Sequence, residues 1–310
     1  MYDIIIVGGG AAGLTAAIYA VRANKKVLVL EETACGGQII YASKIENYPA
    51  APSISGLSFA QTLQKQAEDS GAEIEFESAQ MIQNKGGTKL VKTENGEYGA
   101  KAVIVACGTK PRSLRLENLE KLIGRGISFC ATCDGAFFKD KVVAVNGGGN
   151  SALHEAIYLS DIAKKVYLVH RRDEFRAGAS LVEEAREKDN IEFVLDAYIS
   201  ELIGDERLES IKIRRKDSTE TISLDGLFIS IGREPNVRYL MGSLELTEDG
   251  YVMAGEDCTT NIPGVFVAGD VRDKAVRQLV TAASDGAIAA EAALKYVNEH
   301  NNHEEGVKSV

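Results

Sequence analysis

DIIIVGGGAAGLTAAIYAVRANKKVLVLEE, Asp3 to Glu32, begins with an apolar, β-branched run, breaks at three glycines, continues with helical spacing and closes on a second apolar run, VLVL. That order predicts strand, tight turn, helix and strand, a βαβ unit whose first turn carries the spacing Gly8-x-Gly10-x-x-Gly13. Glycines at such a turn let the backbone approach a pyrophosphate closely and seat it on the free amides at the helix N-terminus. Alone the spacing is weak evidence, because glycines between a strand and a helix often do no more than make the turn. A second copy changes the weight. Gly147, Gly148 and Gly149 repeat Gly8, Gly9 and Gly10 at an offset of 139 positions, and Ala156-Ile157-Tyr158 and Lys164-Lys165-Val166 repeat Ala17-Ile18-Tyr19 and Lys25-Lys26-Val27. The second turn reads Gly147-x-Gly149-x-x-Ala152, so two dinucleotide sites are expected in one chain.

The copies differ where the difference carries chemistry. At the end of the second strand, where a carboxylate accepts hydrogen bonds from ribose hydroxyls, the first copy has Glu31 and Glu32. The second has His170, Arg171 and Arg172, with Arg176 a helical turn later. A 2'-phosphate is repelled by the acids and held by the guanidinium groups, so the second site suits NADP and the first a dinucleotide with a free ribose. The alternative for HRRDEFR is a solvated helix start whose arginines pair with Asp173 and Glu174.

Further along, AVIVACGTKP (Ala102 to Pro111) and GLFISIGREP (Gly226 to Pro235) are apolar strands that each end in glycine, two residues and proline. Each is placed to close its sheet and hand the chain to the other domain, with Arg112 to Leu119 and Leu240 to Leu246 as linkers. IPGVFVAGDV (Ile262 to Val271) reads as one more strand, and RQLVTAASDGAIAAEAALKYV as a helix that rejoins the first domain; the polar tail from Asn298 is expected to fray. The fold class is thus α/β: two Rossmann-like dinucleotide-binding domains, one at residues 1–112 and 245–310, the other inserted at 113–244.

Composition bounds what such a chain does. It has 310 residues, 45% hydrophobic and 26% charged, enough for two packed domains. The formal net charge of -10 repels nucleic acid and anionic lipid, and no apolar run reaches the length of a membrane span. A cytoplasmic setting is therefore expected. There the five cysteines, with one close pair, do not read as a disulfide framework. The close pair is Cys130 and Cys133 in FCATCDG, followed at once by Asp134. Two sulfurs one helical turn apart can bond to each other or separate to engage other partners, and the adjacent carboxyl can exchange a proton with them. Two alternatives stand beside this reading: Asp134 as a helix cap, and the cysteines as metal ligands. The latter lacks a partner, since neither Cys107 nor Cys258 lies at ligand spacing.

Taken together, GGGAAG, CGGQ before ENYP, CATCDG, GGGNSA, HRRDEFRA, IGREPN and GVFVAGDV followed by RQ resemble the bacterial-type, low-molecular-weight thioredoxin reductases over nearly the whole chain, from Asp3 to about Val297. The most specific feature is a redox pair inside the NADP unit, ahead of its fingerprint. The resemblance implies FAD on Gly8, Gly10, Gly13, Glu31, Gly37, Gln38, Asn47, Asp270 and Gln278, and NADPH on Gly147, Gly149, Ala152, Arg171, Arg172 and Arg176. It implies catalysis by Cys130, Cys133 and Asp134, thioredoxin as the protein substrate, a homodimer, no metal, and rotation of the inserted domain during turnover. A related flavoprotein serving another CxxC protein, or taking electrons from ferredoxin, is the alternative, and the arginines count against a ferredoxin donor. Three residues depart from the pattern: His154 in place of glutamate, Cys35 before GGQ, expected to be a packing residue, and Ser284 in place of glycine.

Overall fold

The computed structural model describes residues 1–308 apart from Ser43, Pro52, Asn236 and residues 238–243, with side chains described as far as His300. Two compact units divide the chain: Met1–Ile40, Ile45–Lys110 and Glu234–Val310 form the first, and Tyr41–Lys44 and Pro111–Arg233 the second.

In the first unit, β1 (Tyr2–Val7) leads through the glycine turn into α1 (Ala11–Arg22) and β2 (Val27–Leu30), followed by α2 (Gly56–Ser70). Then come β3 (Glu73–Glu75), β4 (Met81–Lys85), β5 (Thr88–Lys92), β6 (Glu97–Val105) and β7 (Thr109–Pro111). The sheet runs β3-β2-β1-β6-β5-β4, parallel from β3 to β6 and antiparallel beyond. Strand periodicity sorts the β1 side chains: Ile4 and Ile6 join the core under α1, while Ile5 and Val7 join the core on the opposite face. Burial on both faces is why this strand is continuously apolar rather than alternating.

The second unit holds α3 (Leu119–Leu122), β8 (Ile127–Ser128), α4 (Ala131–Asp134), β9 (Val142–Asn146), α5 (Asn150–Ser160) and β10 (Lys165–Val169). It continues with α6 (Ala179–Arg186), β11 (Ile191–Val194), β12 (Tyr198–Ile203), β13 (Ser210–Arg214), β14 (Thr219–Ser223) and β15 (Gly226–Ile229). Its parallel sheet, β11-β10-β9-β15-β8, repeats the first arrangement: β10 and β15 flank β9 as β2 and β6 flank β1. An antiparallel meander, β12-β13-β14, supplies Ile199, Leu202, Ile211 and Ile213 to the core on one face of that sheet. The chain leaves through β16 (Arg233–Pro235), which pairs with β7. It then adds β17 (Val265–Val267) beside β6 and ends in α7 (Leu279–Lys308) against α1.

Two expectations are corrected. The second crossing lies at Arg233/Glu234, not at 244/245, because Val237, Leu244 and Leu246 pack with Ile5, Leu28 and Val252 in the core of the first unit. The proposed linker Leu240 to Leu246 falls partly outside the described residues, at 240–243, as does Asn236 of the IGREPN motif. The segment from Asn298, expected without regular structure, continues α7 as helix to Lys308. Elongating a helix already anchored by packing costs little, and Lys25 donates to Asn298 Oδ1 at 2.7 Å. α7 packs closely on α1: a Cβ on Gly286 would lie 2.2 Å from the Ala12 carbonyl oxygen. Among the described residues no helix is long and apolar enough to cross a membrane.

Candidate functional site

The turn of the first unit is built by close approach. Gly8 has φ +110°, and a Cβ there would stand 2.4 Å from the Ala106 carbonyl oxygen; on Gly13 it would stand 1.9 Å from that of Gly8. Gly10 is different. It caps α1 with no side-chain hydrogen bond and nothing lies within 4 Å of its Cβ position, so the helix start opens on a cradle a side chain would fill. The residues present therefore fit a pyrophosphate. Glu31 sits across the turn, accepting the Gly9 N–H at 2.7 Å and the Thr33 N–H at 3.0 Å, one carboxylate oxygen to each.

Cys35 is buried against this turn, its Sγ 3.0 Å from where a Gly9 Cβ would be. Burial, aided by the Glu31 carboxylate, pushes its thiol up to about 12, so at neutral pH it stays protonated as a packing group. Gly37 follows with φ +59° and opens the short 3-10 turn that carries Gln38. Asn47 and Gln278, more than two hundred residues apart in the chain, meet in a hydrogen bond of 3.3 Å. Asp270 lies in the 3-10 turn Gly269–Val271, and the anchor of that turn was not foreseen from the sequence. Asp285, 4% exposed, accepts from the Gly269 N–H at 3.0 Å, from Arg272 Nη2 at 3.0 Å and from Lys274 Nζ at 2.7 Å. Ser284 is exposed beside it.

The second unit repeats the device. A Cβ on Gly147 would lie 2.2 Å from the Ser230 carbonyl oxygen, whereas Gly149, capping α5, again faces open space. Gly148 lies against His170, whose ring atoms stand 2.1 to 2.4 Å from its Cβ position. Burial, with Arg171, Arg172 and Arg176 nearby, pushes the His170 imidazole below its ordinary range, so it is neutral and stacks on Phe175. The arginine segment is tied to the turn by the Arg176 N–H donating to the Gly148 carbonyl at 2.8 Å and the Gly178 N–H to Asn150 Oδ1 at 3.0 Å. Arg171, Arg172 and Arg176 are exposed, and among the described residues none forms an ion pair with Asp173 or Glu174. His154 is exposed on α5.

Cys130 and Cys133 form a disulfide, with Cα atoms 5.3 Å apart. Cys130 is half-buried at the head of α4 and Cys133 is exposed. Asp134 does not cap a helix: it closes α4, and its Oδ2 accepts the Ser128 hydroxyl at 2.6 Å. Burial holds its carboxyl above the usual range, although the Ser128 hydrogen bond opposes this. Ser128, on β8, also accepts the Cys130 N–H at 3.1 Å. Ala131 packs with Ala152, Leu153, Ala156 and Leu159, so the redox helix rests on the helix that follows the nucleotide turn. Gly135 keeps that approach close, since a Cβ there would lie 3.0 Å from Tyr158 and 3.2 Å from Leu159. Glu155 of α5 faces the Ala131 N–H and Ser230; burial pushes it up to about 7. No three His, Cys, Asp or Glu side chains are gathered for a metal among the described residues.

The sequence pattern of the pyridine nucleotide-disulphide oxidoreductase family matches residues 2–286. The chain is 41% identical to a thioredoxin reductase of Peptoclostridium litorale, over 96% of this chain and 98% of that one. It is also 41% identical to a thioredoxin reductase of Listeria innocua, over 96% and 95%. Among solved structures it is similar to thioredoxin reductase from Streptococcus pyogenes, with TM-score 0.92 and 39% identity over 96% of this chain and 99% of that one. The thioredoxin reductase from Giardia duodenalis gives 0.90 and 37% over the same shares.

Proposed function

The chain belongs to the pyridine nucleotide-disulphide oxidoreductase family, and on that premise we propose that it is a thioredoxin-disulfide reductase, carrying an electron pair from NADPH to a disulfide of thioredoxin. The observation that carries the reading is the Cys130–Cys133 disulfide on a helix seated on α5, the helix that opens at Gly149 beneath an unpaired arginine cluster. When bound, FAD accepts hydride from NADPH and passes the electron pair to the disulfide.

The first unit holds FAD through Gly8, Gly10, Gly13, Glu31, Gly37, Gln38, Asn47, Asp270 and Gln278, the second NADPH through Gly147, Gly149, Ala152, Arg171, Arg172 and Arg176. Two electrons and two protons convert the Cys130–Cys133 bond to two thiols. A thiolate of the pair then attacks thioredoxin's disulfide, the second displaces the mixed disulfide, and the Cys130–Cys133 bond re-forms as thioredoxin leaves with two thiols. Asp134, whose carboxyl burial holds above the usual range, gives and takes the proton at the pair. Because the redox pair and the arginines lie in one unit and the flavin turn in the other, the insert swings on the connections at Lys110/Pro111 and Arg233/Glu234 in each cycle. A cytoplasmic homodimer completes the reading.

Purified protein should be yellow, bleach with NADPH and reduce thioredoxin. Cys130→Ser and Cys133→Ser should each keep a reducible flavin while abolishing thioredoxin reduction. A variant of either kind that reduces thioredoxin at the parent rate overturns the assignment.

A further inference from the structure

Ser128 is a hydroxyl in a place where hydroxyls are costly. It lies on β8, 5% exposed, and a buried hydroxyl without partners loses its hydration for nothing. Here it has partners: the Cys130 N–H donates to it at 3.1 Å, and it donates to Asp134 Oδ2 at 2.6 Å in preference to the Cys130 carbonyl, which lies farther off at 3.4 Å. The chain of contacts runs from the backbone of the first redox cysteine to one oxygen of the carboxyl beside the second. The other oxygen of that carboxyl, Oδ1, is buried and has no hydrogen-bond partner.

A carboxyl with both oxygens free can turn about its last bond and offer either. One whose Oδ2 is held by a fixed hydroxyl cannot, and it presents Oδ1 alone. Resting on the disulfide-reductase reading above, we propose that Ser128 is a positioning residue for the redox pair, fixing Asp134 through Oδ2 so that Oδ1 is the atom that exchanges a proton with the cysteines.

The surroundings leave this bond in control. Two influences act on the Asp134 carboxyl: its burial, which favours the neutral acid, and the Ser128 hydroxyl, which favours the carboxylate. Of the elements packed against α4, helix α5 brings Glu155, which faces Ala131 rather than Asp134, and the 3-10 turn Gly135–Phe138 brings no titratable group. Removing the hydroxyl therefore leaves burial unopposed, and Asp134 keeps its proton to higher pH. A hydrogen bond to a charged group contributes roughly 1.5 to 3 kcal/mol, which corresponds to a rise of about one to two pH units.

The test reads the thiols rather than turnover. The pair is reduced with a dithiol, and the rate of its alkylation by iodoacetamide is followed against pH in the parent, Ser128→Ala, Ser128→Thr and Asp134→Asn. In the parent the profile carries a step that Asp134→Asn removes. Ser128→Ala should move that step up by about one to two pH units, and Ser128→Thr, which restores a hydroxyl, should bring it back. Where Ser128→Ala costs the fold, Ser128→Gly, which also removes the hydroxyl and adds no thiol, is read in its place with the same upward direction expected. A parent profile in Ser128→Ala, or a Ser128→Thr profile displaced as far as that of Ser128→Ala in a folded protein, overturns the proposal. Because no thioredoxin is present, failure here leaves the assigned activity standing. Failure of the parent to reduce thioredoxin in a separate assay counts against the activity alone.

Discussion

Asp285→Asn is the perturbation whose cost is best defined by the geometry. The carboxylate, its side chain 6% exposed, lies between Arg272 and Lys274, themselves 11% and 8% exposed, and also accepts the Gly269 N–H. The amide has the same shape, so no cavity opens and the packing term vanishes. What changes is charge: two buried cations lose their anion, and an NH2 donor is turned toward groups that are donors already. Removing one partner of a buried ion pair costs about 3 to 5 kcal/mol. The lower end applies, because Arg272 keeps the Gly255 carbonyl at 2.9 Å and Lys274 keeps that of Thr281 at 3.3 Å. The expected loss is therefore about 3 kcal/mol, confined to the first unit, with weaker flavin retention because Gly269 heads the turn that carries Asp270. Urea unfolding at saturating flavin, followed by flavin fluorescence, reports that unit's transition, and the measured loss combines the broken ion pairs with any weakening of flavin binding. The triple replacement Asp285→Leu, Arg272→Met, Lys274→Met should recover only part of the loss, since it removes the unpaired cations but leaves the buried Gly269 N–H without its acceptor. An Asp285→Asn transition within about 1 kcal/mol of the parent would refute the reasoning, for that is what an exposed pair contributes.

Glu155 is pushed up to about 7 from an ordinary value near 4.5, so it is silent where both folded and unfolded chains are protonated and costs stability as pH rises through that window. Glu155→Gln should accordingly be no more stable than the parent at about pH 4 and more stable by about 3 kcal/mol at about pH 8; a pH-independent difference in unfolding midpoint would contradict this. Removing Arg171 and Arg176 together should weaken NADPH by roughly ten- to a hundredfold per contact and leave NADH nearly unchanged, as measured by equilibrium titration. Gly148→Ala drives a Cβ to 2.1 Å from the His170 ring, so the second unit should lose about 1 to 3 kcal/mol and bind NADPH less tightly with flavin content intact.

What the sequence discloses here follows from the range of the interaction concerned. The glycine turns are local, and repetition at a fixed offset made both legible together with their flanking strands. The arginine cluster was legible because its position is counted from the second strand of the same unit. Ser128 and Asp285 were not. Each is a single polar residue in an apolar setting, and its importance depends on which side chains tertiary packing brings to it: Asp134 from the next turn, or Arg272 and Lys274 from the loop before a helix. The second boundary failed for a related reason. Val237 and Leu244 carry no strand pattern, and only their burial among Ile5 and Leu28 says which core owns them.

The pairing of β7 with β16 bears on how such a chain can be taken apart. Since the strand going in and the strand coming out are neighbours, with the Arg112 N–H on the Gly232 carbonyl at 2.9 Å, the chain ends of the insert are a strand spacing, about 4.8 Å, apart. Residues 111–233 thus have the geometry of a cassette. A tight turn joining Lys110 to Glu234 restores a continuous host chain, and the excised segment, its own termini side by side, is suited to circular permutation or to grafting into another scaffold with a similarly spaced pair of strands.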